Sequence, residues 1–439
     1  MIFCYISCVS SDLMSCVKKE RDCMSYNPRI VDQLFLRKLE SAGAVLIEGV
    51  KACGKTETAL QQAASYVHCD TDDMIETQMQ IDPRLVLQGD VPRLLDEWQE
   101  YTSLWNYVRR EVDNRKKKGQ FILTGSATPD DSSKRHSGVG RFSILRMRTM
   151  STYERGWSSG EVSLKNLLKD GSPVSRVVEL DLELLSEMLI YGGWPGLLNS
   201  TLDQAVDFGI DYVKLTSEVD ISKVDNKKRD PFKVMKLIQS LARNIATEAS
   251  IVTLAKDAGG SDGKLSNETV SEYLSVLERL MFIENIPAWN THIRSSDTLR
   301  KSPKRQLADP SLAIAALHLS KAKLLADLKY LGLLFESMVI RDLQVYAEAN
   351  NGKVYHYRDS RGLEVDAIIE YMDGTWSAFE IKLGLGAIEE AAYNLHVFKN
   401  KLDFTRVKEP SSINIITGKG FAHKRKDGIN VIPWSVLKD

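Results

Sequence analysis

The sequence predicts an α/β protein of several domains. Three observations carry that expectation: a length of 439 residues, short apolar strands alternating with helical stretches in the first third, and a helix followed by three strands in the last quarter. This length exceeds one compact core, so about two to four domains are expected. The apolar and charged fractions, 43% and 27%, suit a soluble globular chain. A formal net charge of −1 argues neither for nor against nucleic acid, so any basic surface must be local. No apolar run reaches the roughly eighteen residues of a membrane-spanning helix, and no membrane partner is expected.

Residues 1–24 differ from the rest. They hold Cys4, Cys8, Cys16 and Cys23. Their spacing lacks the close pairs of most zinc modules. The cationic start and apolar core of a signal peptide are missing too. The expectation is an unstructured leader, or an upstream start with the true one at Met14 or Met24. Cys53 and Cys69 give no disulfide framework, which fits a reducing cytoplasm.

Residues 25–150 read as a nucleotide-binding domain. Ala44 to Glu48 is a short apolar run of the kind that forms a buried strand. It leads into Gly49-Val50-Lys51-Ala52-Cys53-Gly54-Lys55-Thr56, the pattern G-x-x-x-x-G-K-T, followed by Glu57. From Thr58 to Tyr66 the chain is rich in helix formers. Strand, glycine loop and helix in this order make a P-loop. Its backbone N–H groups cradle phosphate oxygens, the helix start adds a positive dipole end, Lys55 reaches the β- and γ-phosphates, and the Thr56 hydroxyl is a magnesium ligand. ATP with Mg2+ is the expected ligand. The alternative is a glycine turn without a ligand.

Val91 to Leu95 runs into Asp96-Glu97, an acidic pair at the end of an apolar strand, as a Walker B motif requires. Asp96 would hold magnesium through water, and Glu97 would act as general base. The alternative is an acid-rich helix start, since Trp98 onward looks helical. A third strand, Gln120 to Ser126, ends in polar residues suited to a γ-phosphate or water contact. Beyond it, Arg135 to Arg141 leads to a strand containing Arg146 and Arg148. Arg141 is the candidate for a finger completing a neighbouring subunit's site in a homo-oligomer, with a solvated basic loop as the alternative.

Residues 151–230 read as a helical lid or connector, broken at Gly192-Gly193-Trp194-Pro195-Gly196. That break is either a tight turn or a nucleotide-sensing lid. Lys227 to Pro231 looks like a linker. Residues 231–320 show three helices and two short strands, the order of a winged helix. Ser266 is placed to cap the third helix, and Val270, Tyr273, Leu274 and Leu277 share one of its faces. Glu268, Glu272 and Glu278 make that helix a poor phosphate-facing surface, favouring a structural or protein-docking role over a DNA partner.

Residues 321–439 begin with a helix over Leu331–Ala349 that contains Glu336. Strands follow at Lys353–Tyr357, Leu363–Tyr371 and Trp376–Ile381. Glu364 and Asp366 share one strand face, and Glu380 and Lys382 another. A hairpin symmetric about Asp373 places Asp366 opposite Glu380 and Glu364 opposite Lys382. Asp366 and Glu380 would bind a metal, Lys382 would orient water or stabilise phosphate charge, and Glu336 would add a fourth acid. The layout D…E-x-K is that of restriction-endonuclease-like folds. The alternative is a solvated hairpin face with cross-strand ion pairs.

The stretches Tyr26 to Asp32, the P-loop, Pro92 to Gln99, Phe121 to Ala127, Gly192 to Pro195, Ala308 to Leu312, Gly362 to Asp366 and Phe379 to Lys382 together resemble the prokaryotic AAA-type ATPases of AAA domain family 14, joined to domain of unknown function 4143. The resemblance runs from about Tyr26 to the end. It implies a P-loop NTPase (AAA-like) domain, a winged-helix-like middle domain and a restriction-endonuclease-like α/β C-terminal domain. Lys55 and Thr56 match the family's P-loop, Asp96 and Glu97 its Walker B, and Asp366, Glu380 and Lys382 its nuclease-like motif. Val50-Lys51 stands where members often carry Pro-Lys. Three functions are compatible with this reading: an ATP-driven switch or motor, an ATP-gated metal-dependent DNA nuclease, and an ATP-binding scaffold with little turnover.

Overall fold

The computed structural model describes residues 26–125, 137–169, 172–225, 227–259, 265–290 and 302–439. The four leader cysteines and Ser126, Arg135 and His136 lie outside the described residues.

The chain opens with α1 (Val31–Ser41), β1 (Ala44–Gly49), α2 (Lys55–Leu60), β2 (Ser65–His68), α3 (Asp73–Ile81), β3 (Arg93–Asp96), α4 (Leu104–Arg115), β4 (Phe121–Gly125) and β5 (Phe142–Met147). The five strands form a wholly parallel sheet in the order β2-β3-β4-β1-β5. The inner strands β1 and β4 are near-continuous buried runs, as expected of parallel strands covered on both faces, whereas the edge strands β2 and β5 are only partly buried. The helix after the glycine loop is displaced from its expected place. It starts at Lys55 and stops at Leu60, and Ser65 and Tyr66 belong to the edge strand β2.

The connector contains β6 (Val162–Ser163), α5 (Leu164–Leu167), α6 (Leu182–Tyr191) and α7 (Leu202–Leu215), continued by a π-turn over Thr216–Asp220. The expected linker is tethered. Arg229 is buried and makes two bonds of 2.7 Å to Asp225 and one of 2.9 Å to Glu272.

The middle unit comprises α8 (Pro231–Arg243), α9 (Ile251–Gly259), α10 (Asn267–Arg279), and the antiparallel pair β7 (Ile283–Ile286) and β8 (Lys304–Leu307). Pro231 stands at the start of α8 and Asp230 caps it. Ser266 caps α10 by accepting from Thr269 N at 3.0 Å, and Val270, Tyr273, Leu274 and Leu277 are buried on its inner face. The acids of α10 have local partners: Glu272 holds Arg229, and Glu278 accepts from Asn285 Nδ2 at 2.5 Å.

Helices α11 (Ser311–Ala316) and α12 (Lys321–Ala326) lead into α13 (Leu328–Ala349). Then come β9 (Gly352–Arg358), β10 (Glu364–Tyr371), β11 (Trp376–Lys382), α14 (Ile388–Lys401), β12 (Ser412–Thr417), β13 (His423–Lys424), β14 (Asn430–Pro433) and β15 (Leu437–Lys438). Six of these strands form a mixed sheet, β13-β14-β12-β11-β10-β9. β15 leaves it to pair with β6 of the connector. Helix α13 is buried on most of its circumference, as expected of a helix with protein on every side.

One apolar core crosses the expected domain limits. Phe35, Trp194, Leu237, Phe335 and Phe379 all belong to it. A second core lies under β2, β3 and β4 around Trp98 and Trp105, and a third under α14 around Trp376 and Phe398.

Candidate nucleotide site and a second charged cluster

Strand β1 lies between β4 and β5, so its C-terminal end delivers the glycine loop to the middle of the sheet edge. Gly49 must be glycine there: a Cβ would stand 2.3 Å from the Met147 carbonyl oxygen. Gly54 has φ 98°, a conformation that costs glycine little. Lys55 is buried at 5% exposure. Its ammonium turns back over the loop and donates to the carbonyls of Gly49 at 2.9 Å and Val50 at 3.1 Å. Cys53 is packed inside the loop with Sγ 3.8 Å from the Met147 carbonyl oxygen. Arg29 ties the loop to the end of β5, donating to the carbonyls of Cys53 at 3.0 Å and Arg148 at 2.9 Å.

Asp96 ends β3 in register with Thr124 of β4 and His68 of β2. That register converges three side chains on its buried carboxylate. Thr56 Oγ1 donates to Oδ1 at 2.9 Å, Thr124 Oγ1 donates to the same oxygen, and His68 Nδ1 lies 2.9 Å from Oδ2. The two motifs are therefore joined directly through Thr56 and Asp96. Glu97 follows with φ 51° and ψ 42°, left-handed for a residue with a side chain. Its carboxylate accepts from Gln99 Nε2 and faces the cavity. Sequence reasoning did not single out His68 or Gln99. Thr124 lay in a recognised strand, but its target was read as phosphate or water rather than Asp96.

The outer face of the glycine loop, with Glu97 and Gln99, lines a cavity of about 1060 Å³. Val50 and Cys53 stay beneath the loop, while Lys51, Ala52, Gly54, Lys55, Thr56 and Glu57 face the space. The rest of the wall comes from the connector, with Trp194, Pro195, Gly196, Phe208, Asp220, Lys223 and Val224, and from Leu280 just past α10. Five carboxylates, Glu57, Asp70, Glu97, Glu100 and Asp220, face three ammoniums, Lys51, Lys55 and Lys223. The Gly-Gly-Trp-Pro break thus forms part of the cavity wall. It is fixed from behind. Gly193 N donates to Asp309 Oδ2 at 2.9 Å, and Trp194 Nε1 donates to Ser311 Oγ at 2.9 Å.

Arg141 is elsewhere. It precedes β5 at the opposite edge of the sheet, its carbonyl bonded to Ala44 N at the start of β1. Its guanidinium pairs with Asp113 at 2.9 Å. With the length of β1 between them, Arg141 cannot serve the phosphate loop of its own chain. Arg148, by contrast, is pinned in the interior by Glu284 at 2.8 Å and Glu348 at 2.7 Å.

The C-terminal cluster has a different composition from the one expected. Asp366 Oδ2 accepts from Ile381 N at 2.8 Å and from Lys382 Nζ at 3.2 Å. Lys382 Nζ also lies 2.6 Å from Glu380 Oε2. Lys304 of β8 enters among the acids, against Glu336 and 3.5 Å from Asp366 Oδ1. Glu364 stands apart, about half exposed, and pairs with Arg358 across the strands at 2.9 Å. A bulge explains the separation. Pairing with β9 shifts between Val365 and Ile368, so these two residues, three apart, enter the same core. The simple two-residue alternation that grouped Glu364 with Asp366 is broken there.

Burial, and then the Asp366 charge, push Glu336 up to about 7 and Glu380 up to about 8. Burial also raises Asp366, but Lys304 and Lys382 outweigh it and hold that carboxyl below its ordinary range. Burial lowers both lysines, and the surrounding acids more than reverse this. Among the described residues no three His, Cys, Asp or Glu side chains are arranged to hold a metal ion. No described helix is long and apolar enough to cross a membrane.

A glycine loop and an acidic strand end, joined at the edge of a parallel sheet, define a P-loop nucleotide-binding domain. The family comparisons agree: residues 41–155 match the model of the AAA domain family AAA_14, residues 331–437 match domain of unknown function DUF4143, and residues 182–323 match domain of unknown function DUF8612. The AAA and DUF4143 assignments are those that the sequence resemblance implied. Curated relatives include uncharacterized protein Rv2008c of Mycobacterium tuberculosis and uncharacterized protein Mb2031c of Mycobacterium bovis. Each is 22% identical over 364 residues, covering 82% of this chain and 75% of the relative. Among solved structures, the Walker-type ATPase PABY2304 of Pyrococcus abyssi aligns with TM-score 0.40 and 12% identity, over 65% of this chain and 94% of that one.

Proposed function

We propose that the chain is a magnesium-dependent ATPase that works as a nucleotide-driven switch or motor. The carrying observation is the 2.9 Å bond between Thr56 and Asp96, with Lys55 and Glu97 facing the same cavity. Thr56 and Asp96 are hard oxygen donors of the kind magnesium takes. The excess of carboxylates in the wall also favours a nucleotide that arrives with a divalent cation. Bound there, the ion would neutralise phosphate charge. The loop N–H groups and Lys55 would hold the β- and γ-phosphates, and Glu97 would accept a proton from the attacking water once released by Gln99. Arg141 is read as a group acting on a neighbouring subunit, which makes the working form a homo-oligomer in the cytoplasm. We read the middle unit as winged-helix-like and, given the occupied acids of α10, as a docking element rather than a DNA reader. The test is ATP turnover and binding in Glu97→Gln. Turnover lost with binding kept supports the reading; unchanged turnover contradicts it.

A second reading makes the C-terminal unit a restriction-endonuclease-like, metal-dependent DNA nuclease gated by ATP. The gathering of Asp366, Glu380, Lys382 and Glu336 favours it. Lys304 weighs against it, because a metal would have to displace that ammonium. Nicking of plasmid DNA with Mg2+ or Mn2+, lost in Asp366→Ala while ATP turnover persists, would establish this activity. No nicking by the wild type would remove it.

A further inference from the structure

Lys51 occupies the third position of the phosphate loop and behaves unlike Lys55. Its ammonium leaves the loop and pairs with Asp220 of the connector, Nζ to Oδ1 2.5 Å. The Lys51 side chain is 43% exposed and that of Asp220 14%, so the carboxylate is the buried half of the pair and the ammonium stays open to solvent. The connector grips the loop a second time: Tyr212 Oη donates to the Lys51 carbonyl at 3.2 Å. Between Tyr212 and Asp220 the helix takes its π-turn, which displaces Asp220 from the place α-helical spacing would give. Such turns cluster at functional sites, and here Asp220 enters the cavity wall.

A carboxylate in that wall repels phosphate unless a cation is held against it. A triphosphate carries several times the charge of one carboxylate, so it competes with Asp220 for Lys51. We propose that Asp220 is a positioning residue: it holds Lys51 on the connector until a nucleoside triphosphate takes the ammonium. The pair then sets nucleotide affinity and reports occupation of the loop to the connector helix. This deepens the ATPase reading and rests on it.

The experiment is calorimetric titration of MgATP into wild type, Asp220→Asn, Asp220→Glu, Lys51→Met, the Asp220→Asn/Lys51→Met double variant and Lys55→Ala. Asp220→Asn is expected to bind about fivefold tighter, the upper scale of a partly exposed ion pair. Asp220→Glu should restore the wild-type value. Asp220→Asn should make no difference once Lys51 is methionine, a cycle that a merely structural role would not produce. Equal affinity of Asp220→Asn and wild type, with binding lost in Lys55→Ala, overturns the latch alone. The same gain with and without Lys51 also overturns it, since Asp220 would then act on the nucleotide directly. Wild-type binding by Lys55→Ala overturns both the latch and the nucleotide reading beneath it.

Discussion

Asp309 and Arg341 form a buried ion pair, Oδ2 to Nη1 2.9 Å, between the middle unit and the long helix α13. The same Asp309 oxygen accepts from Thr149 Oγ1 at 2.8 Å and from Gly193 N at 2.9 Å. One carboxylate thus joins the end of the nucleotide sheet, the cavity wall and the C-terminal unit. Arg341 also donates to Asp342 at 2.8 Å, and Asp342 holds Thr152. Removing one partner of such a pair leaves a buried charge uncompensated. Arg341→Met is expected to cost about 3–5 kcal/mol, read from urea unfolding. An unchanged midpoint would show that the pair is not a structural hub.

Gly192 lies under the same carboxylate. Its φ is 60°, and an added Cβ would stand 2.3 Å from Asp309 Oδ1. Gly192→Ala is therefore expected to destabilise the fold by about 1–3 kcal/mol. By shifting Trp194 it should also weaken MgATP binding. Calorimetry on the folded variant measures the second effect; unaltered affinity would mean that the Trp194 segment is not felt by the ligand.

Thr56 and Glu97 should separate binding from turnover. Glu97→Gln removes the proposed base and is expected to lower turnover by about 10²–10⁴-fold with little change in ATP affinity. Thr56→Val removes a hard oxygen donor and should raise the magnesium concentration needed for half-maximal turnover. Equal magnesium dependence in Thr56→Val and wild type would take this hydroxyl out of the ion's coordination.

The C-terminal cluster should leave a mark on stability at neutral pH. Glu336 and Glu380 ionise near 7 and 8 in the fold, against an ordinary value of 4.5. Between pH 4.5 and 8 the folded state thus binds more protons than the unfolded state, and these two groups make stability fall as pH rises. Glu380→Gln cannot ionise and should flatten that fall. Melting temperatures from pH 5 to 8.5 measure it; parallel curves for the two proteins would contradict the assignment.

Much of this architecture was legible from local chemistry. The glycine loop needs a strand before it and a helix after it, so Gly49 to Thr56 disclosed three elements at once. Ser266 marked a helix start because capping acts within one turn. What stayed hidden depends on contacts distant in sequence. His68 meets Asp96 only through strand register, and the edge strand β2 is too short to show a period. Lys304 reaches Glu336 and Asp366 from another unit. Glu364 was misplaced by a bulge, which leaves no signature in a two-residue alternation. Arg141 stands at the start of β5, at the end of the sheet away from the glycine loop, a separation that only strand order and direction reveal.

Magnesium-dependent ATP hydrolysis by the purified chain, beside Lys55→Ala, tests the central claim most directly. Lys55 is buried in the loop and bonds to the carbonyls of Gly49 and Val50, so its loss should remove the phosphate grip at a modest cost in stability, with the fold retained. Turnover by the wild type, abolished in a folded Lys55→Ala variant, is the expected result. Equal rates in the two proteins, or no hydrolysis by the wild type with or without DNA, would contradict an ATPase; the second outcome would leave an ATP-binding scaffold.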